Sequence, residues 1–149
     1  MINNSITFKS KFGYIFASEH KGGIYSVKFG KAKINNPNKT LYKFKKEIIK
    51  FFMRKSQKIR IPYKIEGSYN QKKVWNEILK IKYGKTKSYG EIAKKTKLSP
   101  RFVGKICGQN KLVLIIPCHR VMRADGNLGG YSAKGGIKLK KKLLKFEKL

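Results

Sequence analysis

Residues 112–121, with the sequence LVLIIPCHRV, join five consecutive apolar residues to a proline, a cysteine, a histidine and an arginine. An apolar run of this length is typical of a buried strand or extended segment. The two cations that follow the cysteine favour the thiolate of Cys118, which is its nucleophilic form. The stretch therefore predicts a reactive Cys118, for which His119 could also serve as a base oriented by a carboxylate; the alternative is a cysteine buried as a small hydrophobe beside an exposed histidine. The carboxylates beyond residue 80 that could orient the histidine are Glu91, Asp125 and Glu147.

Two short helices are predicted upstream of this stretch. Ser88 is suited to cap a helix that runs to Lys95, and Ser99-Pro100 has the residues preferred at the cap and first turn of the next helix. With the turn at 96–98, the pair predicts a helix-turn-helix, a pattern that many helical hairpins share. Cys107 falls in the second helix, and we interpret it as a packing residue. The apolar residues expected inside the pair are Ile92, Ala93, Leu98, Val103 and Ile106.

The rest of the second half is predicted to be helical or glycine-rich. Ser68 and Gln71 have the pattern of a capping box at the start of a helix with an apolar face. A glycine-rich segment at 125–130 follows the cysteine stretch. The last predicted element is an amphipathic helix at about 137–146, with Glu147 at or near its end.

The first third of the chain predicts three strands, one helix and a further strand. Ser5–Lys11 and Tyr14–Ser18 are rich in β-branched and aromatic residues and predict a hairpin, and residues 24–29 alternate like a half-buried strand. Thr40 is the predicted cap of the helix that follows. Residues 58–65 return to alternation and predict an edge strand.

These elements together predict a two-domain α/β protein. Residues 1–66 would form a small sheet packed by one helix. Residues 67–149 would form a mainly helical domain with a (winged) helix-turn-helix and the active-site loop. We place the boundary near residues 66–68, where alternation gives way to helical spacing, and a chain of 149 residues suits two small domains.

The charge of the chain is strongly unbalanced, since 37 Lys and Arg against 7 Asp and Glu give a formal net charge of +30. Such a charge favours polyanionic partners, of which nucleic acid is the first candidate. The alternative is a general lysine bias, because 32 of these cations are Lys, a solvated point charge rather than a specific recognition group. The charge predicts a nucleic-acid partner but not what the protein does there.

Composition excludes several classes. Hydrophobic residues make up 40% of the chain, so wholesale disorder is not expected. Lysines interrupt every apolar run before it reaches the ~18 residues that a membrane-spanning helix needs. Residues 1–5 lack the features of a secretory signal. A zinc site needs about four ligands, and the whole supply of Cys and His is Cys107, Cys118, His20 and His119, without CxxC spacing, so a structural zinc site is not expected. We therefore expect a cytoplasmic protein with no metal and no cofactor.

Residues 116–121, IPCHRV, resemble the active-site signature of the O6-alkylguanine-DNA alkyltransferases, also called methylated-DNA–protein-cysteine methyltransferases. The resemblance covers nearly all of residues 68–147 in the family's order and approximate spacing, whereas the first domain matches only in its strand–helix–strand character. Lys111 and Val113 stand where the family usually has prolines. The other matching positions are Val74-Trp75, Ser88-Tyr89, Ser99-Pro100-Arg101, Val103-Gly104, Asn110, Gly129, Tyr131-Ser132 and Glu147.

The resemblance implies repair of O6-alkylguanine in double-stranded DNA by irreversible transfer of the alkyl group to Cys118. Each molecule would act once, as a monomer. Glu147 would hold His119, which would withdraw the thiol proton through a water, and Tyr89 would donate its phenolic proton to N3 of the guanine.

The resemblance also implies contacts with an extruded base and with the duplex. Arg101 would fill the gap left by the flipped nucleotide, and Gly104 would let the helix at 100–109 approach the minor groove closely. Asn110 would brace the turn that carries the cysteine. The backbone near Val121 would contact the exocyclic amine of the guanine. The remaining residues with implied roles are Tyr131 and Ser132, whose backbone would lie near O6, and Pro117 and Arg120, which would support the turn.

Functions of other classes stay open on the residues alone. A non-catalytic helix-turn-helix regulator or nucleoid protein would explain the charge and leave the Cys–His pair unused. A cysteine hydrolase would turn over many times. An alkyltransferase-like lesion sensor recognises alkylated bases without removing the alkyl group, and the presence of Cys118 argues against it.

Overall fold

The computed structural model describes residues 4–33, 35–131 and 133–148, and the chain divides into two compact units. The first contains the described residues up to 65 together with 111–115, and the second contains residues 66–110 and those from 116 onward. The short return of the chain to the first unit at 111–115 is not part of the predicted division into 1–66 and 67–149.

The first unit contains the three predicted strands, β1 (Asn4–Ser10), β2 (Gly13–His20) and β3 (Gly23–Phe29), which form an antiparallel sheet in that order. Helix α1 (Lys39–Phe52) packs on them. Apolar residues alternate along the strands and recur at helical spacing in α1, so their side chains pack into one core. Phe8 of β1 and Phe44 of α1 meet there edge to face, with ring centroids 6.1 Å apart.

The predicted cap of α1 is wrong. The helix begins at Lys39, and the side chain of Asn38 accepts a hydrogen bond from the backbone N–H of Leu41 at 3.1 Å. Thr40 therefore lies in the first turn. Asparagine is at least as good a cap as threonine, so the sequence offered two candidates that local pattern did not separate.

The predicted strand at 58–65 is also wrong. Within this stretch only Tyr63 makes a bridge, in parallel with Ile24 of β3. The carbonyl of Pro62 accepts from Ile24 at 2.9 Å, but proline has no N–H with which to extend a ladder. The stretch is extended without being a strand.

The apolar run at 112–116 is buried, as predicted, but it does not form a continuous strand. Leu112 pairs in parallel with Val27 of β3, and the chain then turns at Leu114, whose φ of 73° lies in the left-handed region. The run therefore reaches Pro117 through a turn and not as a straight strand.

The second unit contains the predicted helix-turn-helix. Its elements are α2 (Tyr69–Leu79), β4 (Lys87–Ser88), α3 (Tyr89–Thr96), α4 (Pro100–Cys107), β5 (Val121–Met122) and α5 (Gly136–Glu147). The two helices of the motif, α3 and α4, are capped by Ser88 and Ser99 as predicted, and α2 begins with the predicted capping box of Ser68 and Gln71. Lys97, with a φ of 60°, makes the tight turn that ends α3.

Two sets of contacts fix α4 and the segment after the cysteine in this unit. The indole N–H of the buried Trp75 in α2 donates to the carbonyl of Ile106 in α4 at 3.3 Å. Strand β5 pairs in parallel with β4, with Val121 opposite Lys87. Because β4 leads directly into α3, this pairing places the residues that follow Cys118 beside the start of the helix-turn-helix.

Candidate active site

Cys118 begins a single 3₁₀ turn, Cys118–Arg120, directly after Pro117. The side-chain N–H of Asn110 donates to the carbonyl of Ile116 at 3.0 Å, and the N–H of Cys118 donates to the same carbonyl at 2.8 Å. Asn110 and Pro117 therefore bend the chain at the position where the sequence predicted a turn.

His119, Arg120 and Glu147 form a buried network. Nε2 of His119 lies 2.8 Å from Oε2 of Glu147, the last residue of α5. Arg120 donates to both oxygens of the same carboxylate, at 2.8 and 2.9 Å, and to the carbonyl of Ile81 at 2.7 Å. The sequence predicted the His119–Glu147 pair through the family resemblance, but not that Arg120 shares its carboxylate.

The network fixes the protonation of its members. Burial opposes the charge of Glu147, but the hydrogen bonds from His119 and Arg120 outweigh it and lower the pKa of Glu147 to about 2. Burial lowers the pKa of His119, and Glu147 offsets this only in part. At neutral pH a neutral His119 must therefore carry its hydrogen on Nε2, because the carboxylate can only accept.

The other ring nitrogen of His119 is the one left to act as a base. Nδ1 is buried and makes no hydrogen bond within the described residues, and the same holds for the hydroxyl of Tyr131. The two rings meet edge to face at 6.5 Å. Burial, more than the nearby thiol of Cys118, raises the pKa of Tyr131, so its phenol stays protonated.

Cys118 opens onto a cavity of about 740 Å³ beside α4. The thiol of Cys107, which is hydrogen-bonded to it, and burial raise the pKa of Cys118 well above its usual value; the charge of Lys140 and a hydrogen bond from Asn110 act in the opposite direction. The resting thiol is therefore protonated at neutral pH and needs a base. The lining residues used below are Tyr89, Arg101, Gly104, Cys107, Gly129 and Tyr131.

Lys140 is a site residue that the sequence reasoning missed. It is fully buried in α5, and its ammonium group donates to the hydroxyl of Tyr89 at 3.3 Å, to the carbonyl of Gly130 at 3.2 Å and to the carbonyl of Leu128. Burial lowers its pKa to about 8. A signal was present: Lys140 precedes Glu147 by seven residues, or about two helical turns, and so shares its helix face.

Tyr89 also lies in close contact with the backbone of Gly129. Gly129 has a φ of 69°, and a Cβ there would lie 2.9 Å from the Tyr89 hydroxyl, so the position requires glycine. A Cβ at Gly104 would lie 3.9 Å from the Tyr89 ring, which is an ordinary contact. Protein packing therefore does not demand glycine at position 104, and its lack of a side chain leaves the cavity open toward α4.

The remaining predicted site residues differ in how far they are buried. Arg101 is exposed in the first turn of α4 and lines the cavity, whereas Val121 is buried in β5 with its backbone paired to β4. Ser132 lies outside the described residues. Among the residues that the structure describes, no three His, Cys, Asp or Glu side chains are grouped so that they could hold a metal ion. In the same residues, no helix has the length and apolar character needed to cross a membrane.

Together, the fold and the site define a class of two-unit proteins. One unit is a small sheet, and the other contains a helix-turn-helix and a buried cysteine, histidine and glutamate. The family model described as 6-O-methylguanine DNA methyltransferase, DNA binding domain, matches residues 69–149. The chain belongs to the family of methylated-DNA–protein-cysteine methyltransferases, as the sequence predicted.

Individual relatives agree with this assignment. The methylated-DNA–protein-cysteine methyltransferase of Methanocaldococcus vulcanius is 47% identical over 120 residues, which are 78% of this chain and 73% of that protein. The protein of the same name from Methanosarcina acetivorans is 35% identical over 150 residues, 94% and 95% of the two chains.

Solved structures of relatives share the fold along almost the whole chain. Mycobacterium tuberculosis OGT in complex with DNA has a TM-score of 0.88 at 29% identity, over 97% of this chain and 92% of that one. The O6-methylguanine DNA methyltransferase of Methanococcus jannaschii has a TM-score of 0.73 at 33% identity, over 97% and 93%. The predicted fold class is therefore confirmed.

Proposed function

We propose that this chain repairs O6-alkylguanine in double-stranded DNA by moving the alkyl group irreversibly to Cys118. The observation that carries the proposal is a buried thiol that opens onto a cavity beside helix α4 and is followed directly by a histidine held by a buried carboxylate. The names of the relatives and the complex of the mycobacterial protein with DNA support it.

The first step is the activation of Cys118. Its thiol is protonated at rest, and Nδ1 of His119 has a lone pair and no hydrogen-bond partner among the described residues. A water between them would carry the proton from the thiol to Nδ1. The resulting imidazolium is stabilised by the carboxylate of Glu147, 2.8 Å from Nε2, and the low pKa of that carboxyl keeps it ionised throughout.

The second step is the transfer itself. The sulfur of Cys118 forms a bond to the alkyl carbon while the bond from that carbon to O6 breaks, and the electron pair of the broken bond goes to the guanine. Tyr89 donates its proton to N3, which leaves a neutral guanine and an S-alkylcysteine. Thiolate suits this step because an alkyl carbon reacts better with a soft nucleophile than with oxygen.

Tyr89 is prepared for donation by its surroundings. Burial, with smaller contributions from the two nearby thiols, raises the pKa of Tyr89 to about 12, so the proton stays on the phenol until the base takes up charge. Lys140 donates to the Tyr89 oxygen at 3.3 Å. Because that bond occupies the oxygen as an acceptor, the phenolic hydrogen is free to point at the base. Lys140 is thus a positioning residue for the tyrosine.

The substrate base must leave the duplex to reach Cys118, because its reacting atom is otherwise held inside the base stack. Helix α4 would approach the minor groove, with Gly104 permitting close contact and Arg101 filling the gap left by the flipped nucleotide. The backbone near Val121 would contact the exocyclic amine, and that of Tyr131 would lie near O6. The net charge of +30 would draw the protein to DNA in a salt-dependent, sequence-independent manner.

Replacing Arg101 with alanine should slow methyl transfer from duplex DNA by on the order of 10²-fold, the scale set by a base-flipping cost of a few kcal/mol. Transfer from a free O6-alkylguanine base should change little, since no duplex has to be opened. Single-turnover rates with both substrates provide the measurement. Lys105→Ala, which removes an exposed cation of the same helix, controls for lost charge. Equal losses on the two substrates would remove the role assigned to Arg101.

The proposed function is tested by incubating the protein with a duplex containing O6-methylguanine and measuring its intact mass. We expect one methyl group per molecule, mapped to Cys118, and no further reaction once every molecule is modified. A regulator or lesion sensor would bind the duplex without gaining mass, and a hydrolase would consume substrate in excess of protein. Either outcome would overturn the proposal.

We also propose that the protein acts in the cytoplasm as a monomer and without a cofactor. The transfer described above needs only groups that the chain supplies, namely a thiol, a base and a proton donor. DNA is therefore its one required partner.

A further inference from the structure

The chain has two cysteines, and the structure brings both to one cavity. Cys107 is the last residue of α4, and its side chain is buried, as a packing residue would be. Unlike a simple packing residue, however, it lines the same cavity as Cys118, and the two thiols are close enough to interact. The mechanism of alkyl transfer makes no use of this second thiol.

We propose that Cys107 is a resolving thiol, which captures an oxidised Cys118 in a reversible intramolecular disulfide when a hydroperoxide is present. The consequence for repair rests on the proposed function: the disulfide would shield an acceptor that each molecule can use only once. The site is thus both an alkyl acceptor and a site of reversible oxidation.

The chemistry balances with hydrogen peroxide as the oxidant. The sulfur of Cys118 bonds to one peroxide oxygen as the O–O bond breaks, which gives a sulfenic acid and, after proton transfer, one water. The sulfur of Cys107 then bonds to the sulfur of Cys118, the S–O bond breaks, and the hydroxide leaves with the thiol proton as a second water. Two thiols are oxidised, one peroxide is reduced and two waters are formed.

The surroundings of the two thiols suit this reaction. The cavity of about 740 Å³ admits a molecule as small as hydrogen peroxide without any movement of the chain. The ammonium group of Lys140 interacts with both thiols, and at Cys118 its charge opposes the burial that raises the pKa of that thiol. A sulfenic acid formed on Cys118 therefore has the Cys107 thiol in the same cavity before it meets a second peroxide.

The positions of the cysteines in the backbone also favour bond formation. Cys107 ends α4 and is followed by Gly108, and Cys118 begins a one-turn 3₁₀ element. Neither lies in the middle of a long helix or strand, so formation of the disulfide would not have to break a regular element at its centre. Without Cys107, a sulfenic acid would be exposed to further oxidation to the sulfinic acid, which thiol reductants do not reverse.

The proposal is tested with the full chain and hydrogen peroxide, in the absence of DNA. Intact mass should fall by two hydrogens, and labelling with a maleimide should detect no free thiol. Treatment with dithiothreitol should restore both thiols and the methyl-accepting capacity of the protein relative to its own untreated value.

Two variants make the test specific to Cys107. In Cys107→Ser and Cys107→Ala the same treatment should add oxygen to Cys118 instead of removing two hydrogens, and dithiothreitol should restore only a small part of each variant's untreated methyl-accepting capacity. Using both variants separates the loss of the thiol from any change of packing, because serine keeps the size of the side chain.

Several outcomes would overturn the proposal. One is a wild-type protein that gains oxygen without losing two hydrogens; another is a disulfide that joins two chains, seen on a non-reducing gel. A third is full recovery of the Cys107 variants by dithiothreitol. The mass measurement does not depend on DNA, so a disulfide in a protein that accepts no methyl group would support the pairing and overturn the proposed function alone.

Discussion

Cys118→Ser is expected to reduce methyl transfer from O6-methylguanine by a factor on the order of 10⁴ to 10⁶, the scale seen when other enzymes lose their nucleophile. Serine matches the size of cysteine, so the turn at Pro117 and the cavity should be retained. Its hydroxyl, however, is a harder nucleophile that the neutral imidazole of His119 cannot convert to an alkoxide in the absence of an electrophilic carbonyl. Incubation of excess protein with methylated duplex, followed by intact mass, measures the loss.

DNA binding separates this effect from a folding defect. The variant should bind unmodified duplex about as well as the wild type in fluorescence anisotropy, because none of the charged residues of α4 changes. Cys107→Ser is the matched control, since it alters the other thiol of the same cavity and leaves the proposed acceptor in place. Transfer that persists in Cys118→Ser and maps to Cys107 would show that the acceptor had been assigned to the wrong cysteine.

The sequence predicted best those parts of the fold that are determined by residues close to one another in the chain. Ser68, Ser88 and Ser99 each accept from a backbone N–H three residues along the chain, so each helix start is decided within four residues. The strands of the first unit are seven or eight residues long and rich in β-branched and aromatic residues. By contrast, the stretch at 58–65 alternates, but it makes a single bridge at Tyr63, and Pro62 has no N–H with which to extend a ladder.

The parts of the site that the sequence did not predict depend on contacts between distant segments. Lys140 is one of five lysines in α5, and lysine is almost never fully buried without partners. Its buried ammonium group is satisfied by hydrogen bonds to Tyr89 and to two carbonyls of the glycine-rich loop. The residues next to Lys140 in the sequence give no sign of these distant partners. Cys107 likewise looks like any apolar residue of an amphipathic helix until the turn at Cys118 is folded against it.

Glu147→Gln is the second substitution with a large expected effect, and it should act on stability as well as on transfer. The amide keeps the shape of the carboxylate but leaves the guanidinium of Arg120 buried without a counter-charge. Breaking a buried pair in this way costs about 3–5 kcal/mol. Urea unfolding at neutral pH measures the change.

The effect should depend on pH in a direction set by the pKa of Glu147. This pKa is about 2 in the folded protein, against roughly 4.3 for an unperturbed glutamate in the unfolded chain. A depressed carboxyl pKa contributes stability that is fully present above the unfolded value and is lost as the pH falls toward the folded value. Wild type should therefore lose about 3 kcal/mol of this contribution between neutral pH and about pH 2, and the difference between wild type and Glu147→Gln should shrink over the same range.

Glu77→Gln is the matched control, because Glu77 pairs with the exposed Lys80 at 2.8 Å within the same unit. Removal of an exposed pair of this kind costs about 0–1 kcal/mol. Where both variants are folded, Glu147→Gln should also slow methyl transfer by about 10²–10⁴-fold, since an amide cannot stabilise the imidazolium of His119 as a carboxylate does. If the two variants lost the same stability and retained the same transfer rate, then the carboxylate of Glu147 would neither hold the network together nor serve the relay.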